Sequence, residues 1–346
     1  MKKILILLFL LTMMGITASA SGIVAPEIPD ESQQLLPPDK SDFAAGVWTV
    51  VKNAVLQMQP QVASAVKLCL SCIGSALLLA LLHHLQSSSK AIVTLAGVVM
   101  LSCLFLGGST SLIEMGTETI WKINEYGKLF LPVMTAALAA QGGTMSAAAI
   151  YGATALFDTI LSSVVSSVLI PAVYIYLVLA TLNAATGDDI LKKLKDLLKW
   201  GMTWLLKLLL YLFTGYITIS GIISGTADQT AIKATKLTIS SMVPIVGGIL
   251  SDASEAVLVG AGVVKNSVGV YGLLAMIAIT IIPFLSIGVY YLLLKVTSAV
   301  CAVFAPKPIS ALLEDFSGAL GMVLGMTGAV CLIQMISVVC FLRGMS

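Results

Sequence analysis

LIPAVYIYLVL, residues 169–179, sets a proline into an apolar run with no charge on either side. In a water-soluble helix an interior proline costs about 3 kcal/mol or more, because it deletes a backbone hydrogen bond and collides with the preceding turn. A second run of this kind, IIPFLSIGVYYLLL, occupies residues 281–294. The composition says which solvent these segments meet. Hydrophobic residues make up 58% of the 346-residue chain and charged residues 10%, against about a quarter charged in an ordinary globular domain. Mean hydropathy is +1.02. A water-soluble domain of this length could not hide so much apolar surface. The expected fold is therefore all-α: a polytopic membrane helical bundle, with lipid covering its outward faces.

The prolines also suggest how the bundle is organised. Pro132 and Pro171 are 39 residues apart, as are Pro244 and Pro283, and the pairs are offset by 112 residues. At the same offset Ile120 matches Ile232, Leu161 matches Leu273 and Lys195 matches Lys307. The spacing predicts an internal duplication, with repeat A over about residues 91–202, repeat B over about 203–314 and a final span at 316–342. Irregular backbone at membrane depth survives only inside protein or beside a water-filled cavity. Kinked or re-entrant helices at the four matched prolines point either to a shared interior or to packing alone.

The first 20 residues, MKKILILLFLLTMMGITASA, carry Lys2 and Lys3, an apolar core and an A-x-A site. That is the pattern of a secretory signal peptide, and an uncleaved first anchor is the other reading. Residues 21–60 hold several prolines and mostly acidic charge, and read as an extended, extracytoplasmic polar linker. The transmembrane domain then covers residues 61–346. Apolar segments of the roughly 20 residues needed to span hydrocarbon occur at 62–82, 91–108, 202–222 and 316–342. Two longer regions, 129–185 and 242–304, contain Gly142-Gly143 and Gly247-Gly248. The chain has six spans if both hold re-entrant hairpins, and ten if they do not.

TGDDILKKLKDLLKW, residues 186–200, has Ile190, Leu191, Leu194, Leu197 and Leu198 on one helical face and Lys192, Lys193, Lys195 and Lys199 mainly off it. This predicts an amphipathic helix along the membrane surface, on the cytoplasmic side by its lysine density. Residues 83–90 are then also cytoplasmic, and the acidic-leaning stretch 109–128 lies outside.

Signs of enzyme chemistry are absent. There is no phosphate loop, no H-E-x-x-H and no G-x-S-x-G. The two histidines, His83 and His84, are adjacent and diverge on a helix. Cys69 and Cys72 have no second pair or histidine cluster to complete a zinc site. The six cysteines read as buried small hydrophobes. No catalytic residue, cofactor or metal is expected, and a net charge of +2 without a basic block gives no reason to expect nucleic acid.

Ionisable residues inside the membrane are the candidate functional groups, because a charge near the bilayer centre costs at least about 2.5–3.5 kcal/mol. Asp158, in ATALFDTILSSVV, is the clearest. Asp252 and Glu255, in GILSDASEAVLVG, come next, with Lys265 ten residues beyond Glu255. Two readings stand: a proton or cation relay with Lys265 as counter-charge, or interfacial and helix-capping groups. Gly318, Gly321, Gly325 and Gly328 recur at steps of three, four and three in SGALGMVLGMTGA. That stripe suits close helix–helix packing.

The residues resemble the stage III sporulation protein AE family of endospore-forming bacteria. The likeness covers nearly the whole chain and rests on LPVMTAALAAQGG (131–143), the Pro171 span, ISGIISGTADQT (219–230) and VPIVGGILSDASEAVLVGAGVVKNSVGVYG (243–272). The last block is the most specific, because lipid-facing sequence alone does not dictate its polar punctuation. The resemblance implies a non-enzymatic multi-pass protein of the mother-cell membrane surrounding the forespore. It implies a permease-like or export-platform subunit of a sporulation channel or secretion-like complex. Its partners would be other stage III sporulation A-type proteins, including a cytoplasmic ATPase and ring-forming membrane subunits. The alternative is an autonomous proton- or ion-coupled secondary transporter.

Overall fold

Long apolar runs leave backbone N–H and C=O groups no partner in lipid except one another, which favours helices. Every regular element among the described residues is helical. The computed structural model describes residues 26, 28–37, 43–85, 90–140, 144–219 and 267–344. In chain order these form α1 (Asp30–Gln33), α2 (Phe43–Gln57), α3 (Gln59–Leu85), α4 (Lys90–Ala140) and α5 (Thr144–Val164). A π-helical turn, Val165–Leu169, leads into α6 (Ile170–Thr186), followed by α7 (Asp189–Ile219), α8 (Ser267–Cys301) and α9 (Lys307–Gly344). Six of the described helices, α3, α4 and α6 to α9, hold segments long and apolar enough to cross a membrane, the one in α6 beginning at Thr154 in α5. The predicted signal peptide and the Gly142-Gly143 and Gly247-Gly248 pairs lie outside the described residues.

The helix made from the last apolar segment is the axis of the bundle. α9 packs against α8, α4, α6, α5 and α7. Its most apolar stretch is 94% buried within the chain, whereas those of α4 and α7 are 29% and 28% buried. α4 runs parallel to α9: Gly97 lies beside Ile309, the Phe105 and Phe316 rings stack at 3.9 Å, and Gly116 lies beside Val323. A Cβ at Gly116 would come within 2.5 Å of Val323, so this approach needs a glycine. The helix ends at Leu85, Lys90, Thr186, Asp189, Cys301 and Lys307 gather at one end of the bundle. The contacts that place them are Gly97 against Leu79, Ser102 with Thr181, and Ser298 donating to the Ser310 carbonyl.

Several elements differ from their sequence-based expectation. Residues 109–128, expected to lie outside after a span at 91–108, are helical throughout and continue that span as the middle of α4, one helix of 51 residues. Glu118 and Lys122 support it as an i,i+4 pair at 2.9 Å. Within the segment expected to be an extended linker, residues 43–57 form α2. Its Gly46, Val50 and Ala54 recur every four residues and are buried. Gly46 sits beside Leu274, and Val50 and Ala54 cluster with Ala278, which fastens α2 to α8. Residues 189–200 of the amphipathic stretch and the span after them are one helix, α7, with no break at Gly201. Cys69, Cys72, Cys301 and Cys331 are buried as expected, but Cys103 is exposed.

The prolines occupy unlike settings. Pro171 lies in the first turn of α6, directly after the π-helical turn. There its missing N–H falls at a junction where the regular pairing already changes. Pro132 and Pro283 lie inside α4 and α8, with α-helix on both sides. Pro244 and residues 220–266 of the second predicted repeat lie outside the described residues. α6 stops where Gly187 adopts φ +70°, a left-handed conformation that closes the helix through its N–H to the Asn183 carbonyl at 2.8 Å. Asp188 then caps α7 by accepting the Ile190 N–H at 2.8 Å.

Candidate functional site

Among the buried polar residues of α9 are Asp315 and Gln334, nineteen residues apart. Helical rise makes that about 28 Å, close to the thickness of the hydrocarbon layer. Each anchors a different cluster.

At the first cluster, Lys195 of α7 donates to Asp315 Oδ2 at 2.6 Å and Tyr176 of α6 donates its O–H to Asp315 Oδ1 at 2.8 Å. Both carboxylate oxygens are thus engaged, and three helices are tied at one point. Lys195 is only 7% exposed. Gly318, half-buried one turn along α9, faces the Tyr176 hydroxyl and the Lys199 ammonium, each 3.4 Å from where its Cβ would be. Outside this knot Lys295 and Glu314 form an exposed pair at 2.8 Å.

The expectation for Lys195 was a place mainly off the apolar face of a helix lying along the membrane surface. Ile190, Leu194 and Leu197 are 72%, 48% and 60% exposed and Lys192 and Lys193 are exposed as well, so the unexpected feature is the burial of Lys195 against protein. In lipid the apolar face can meet solvent and the charged residue can meet protein.

At the second cluster, α5 presents Asp158, 4% exposed, to Gln334, whose Nε2 donates to Asp158 Oδ1. The Gln334 amide lies against the backbone of Gly127 on α4, where a Cβ would come within 2.5 Å of it. Gln334 Oε1 has no hydrogen-bond partner. This cluster therefore joins a carboxylate to a neutral amide, with no cation bonded to it.

Of the other sequence-predicted groups, Gly321, Gly325 and Gly328 are buried in α9. Asp252, Glu255 and Lys265 lie outside the described residues. Sequence reasoning missed Lys195, Asp315, Tyr176 and Gln334. The available signal was that Lys195 falls on the Leu191–Leu198 side of its helix, and that Asp315 and Gln334 interrupt the last apolar segment. No group of three His, Cys, Asp or Glu side chains among the described residues could hold a metal ion.

Residues 38–343 match the family described as stage III sporulation protein AE. The chain belongs to that family. It is also 22% identical over 205 residues to the stage III sporulation protein AE of Bacillus subtilis (strain 168), covering 59% of this chain and 51% of the relative. The matched region thus spans about half the length of that curated member of the stage III sporulation protein AE family. No solved structure matches the chain.

Proposed function

We propose that this chain is a non-enzymatic, multi-pass membrane subunit of a channel or secretion-like complex between mother cell and forespore, acting as its permease-like or export-platform component. The family match across residues 38–343, laid over six helices able to cross a membrane, is the observation that carries the reading. The packing supports a subunit role. Among the described residues the centre of the bundle is a buried helix, α9, and long apolar faces remain open on α3, α6 and α7 for lipid or neighbouring subunits. The end carrying Lys90, Lys192, Lys193, Lys195 and Lys307 is proposed to face the cytoplasm, by the positive-inside rule. A cytoplasmic ATPase of the same apparatus would meet it there, and ring-forming membrane subunits would meet the opposite side. The membrane is proposed to be that of the mother cell around the forespore.

Deleting the gene should block spore development after engulfment, with recovery on complementation. The protein should co-purify with the other stage III sporulation A-type proteins in mild detergent. Normal sporulation without the gene would sink the reading.

The Asp158–Gln334 pair favours one alternative, a proton- or ion-coupled transporter. Gln334 Oε1 lacks a donor, and the proton of a neutral Asp158 would supply one. Purified protein in vesicles should then move solute along an imposed proton gradient, and Asp158→Asn should abolish the flux. Under the subunit reading Asp158→Asn is tolerated and the isolated chain moves nothing.

A further inference from the structure

A lateral groove of about 280 Å³ separates α4 from the π-helical turn and the end of α5. Its interior holds Asn124, 5% exposed, with Oδ1 lacking any hydrogen-bond partner. Buried amides are almost always satisfied. An unsatisfied one lining a cavity points to an occupant that brings a donor. Glu125 and Lys128, both exposed and three apart on the same helix, stand in the groove wall. Among the described residues no ion pair joins them, although their charges are opposite. Ser162 and Ser166 donate to carbonyls of their own helix and keep lone pairs free to accept. The exposed Trp121 and the side chains of Ile120, Val165 and Ile170 supply apolar lining, on segments long and apolar enough to lie in a membrane. The opposite wall is the π-helical turn, a distortion often found where helices bind something.

We propose that this groove binds the headgroup of an ethanolamine phospholipid, with the acyl chains along the apolar mouth. Each group has a counterpart in that ligand. Lys128 faces the phosphate, while Glu125 and Asn124 Oδ1 receive the ammonium N–H donors. A choline headgroup has no N–H for Asn124, and a glycerol headgroup brings no cation for Glu125. The proposal stands apart from the channel reading, because its readout is binding and not sporulation.

The test uses the full chain purified in detergent, titrated with dibrominated phosphatidylethanolamine, phosphatidylcholine or phosphatidylglycerol. Quenching at Trp121 is isolated as the difference between wild type and Trp121→Phe. The ethanolamine lipid should quench saturably at about tenfold lower concentration than either other lipid. Asn124→Leu should erase the preference over phosphatidylcholine, and independently the surface change Glu125→Gln should erase the preference over phosphatidylglycerol, while Lys128→Gln weakens all three lipids alike. Glu125→Gln keeps the test decisive if Asn124→Leu fails to fold. Equal quenching by all three lipids, or an unchanged preference over phosphatidylglycerol in the Glu125→Gln protein, would overturn the site. Displacement of bound lipid by free O-phosphoethanolamine would overturn the lipid as the source of the headgroup.

Discussion

The two ends of α9 solve the burial of a carboxylate in opposite ways. Asp315 meets a full positive charge and a phenol, so the knot is closed and neutral. Asp158 meets an amide that cancels no charge and leaves its own oxygen unserved. Breaking a buried ion pair strands the surviving charge, whereas a carboxylate beside an amide can change its protonation without stranding anything. The first end is built to hold three helices together, and the second is built to tolerate change.

That contrast can be broken most forcefully at Asp315. Asp315→Ala leaves the buried Lys195 with only the exposed Asp196 carboxylate, 4.0 Å away, as counter-charge, and should destabilise the protein by about 3 kcal/mol, read as thermal unfolding in detergent by circular dichroism. Combining Lys195→Met with Asp315→Leu should recover most of the loss, because two apolar side chains strand no charge. Next comes Gln334→Leu, which removes the donor to Asp158 and should cost about 1–3 kcal/mol in the same assay. If the two ends differ as described, Asp158→Asn alone should unfold near the wild-type temperature, and a large loss there would erase the distinction. Tyr176→Phe removes one hydrogen bond to a charged acceptor while Lys195 stays paired, for a loss of about 1.5 kcal/mol. The smallest effect belongs to Lys295→Gln. Its pair with Glu314 is half-exposed, so the change should stay under about 1 kcal/mol and shrink further at high salt.

Much of this molecule was legible in its sequence. The apolar composition required a helical membrane protein, and Asp158 stood out because a carboxylate within ATALFDTILSSVV has to find a partner. The two faces of α7 were legible, but the burial of Lys195 against protein was not. Periodicity reports that a helix has two faces, and only the surrounding solvent decides which one is buried. With lipid outside, Leu194 and Leu197 faced outward and Lys195 inward. Gln334 was hidden for a related reason. A neutral amide in VCLIQMISVV, residues 330–339, raises no alarm until a carboxylate 176 positions earlier is placed against it. The continuity of α4 was obscured because Ser, Thr and Glu at 109–118 interrupt the apolar run, while in the fold they share a helix with apolar residues packed on α9.

The position of α9 has a consequence for how the protein is made. The ribosome delivers α4, α5, α6, α7 and α8 before the helix on which they all pack. Until then these segments reside in lipid with an empty slot among them, and their charged partners, Lys195 included, wait without Asp315. Insertion of α9 is thus a keystone step for the helices before it. A nascent chain halted before residue 307 should be recognised by membrane proteases as unfinished, even with every earlier segment inserted.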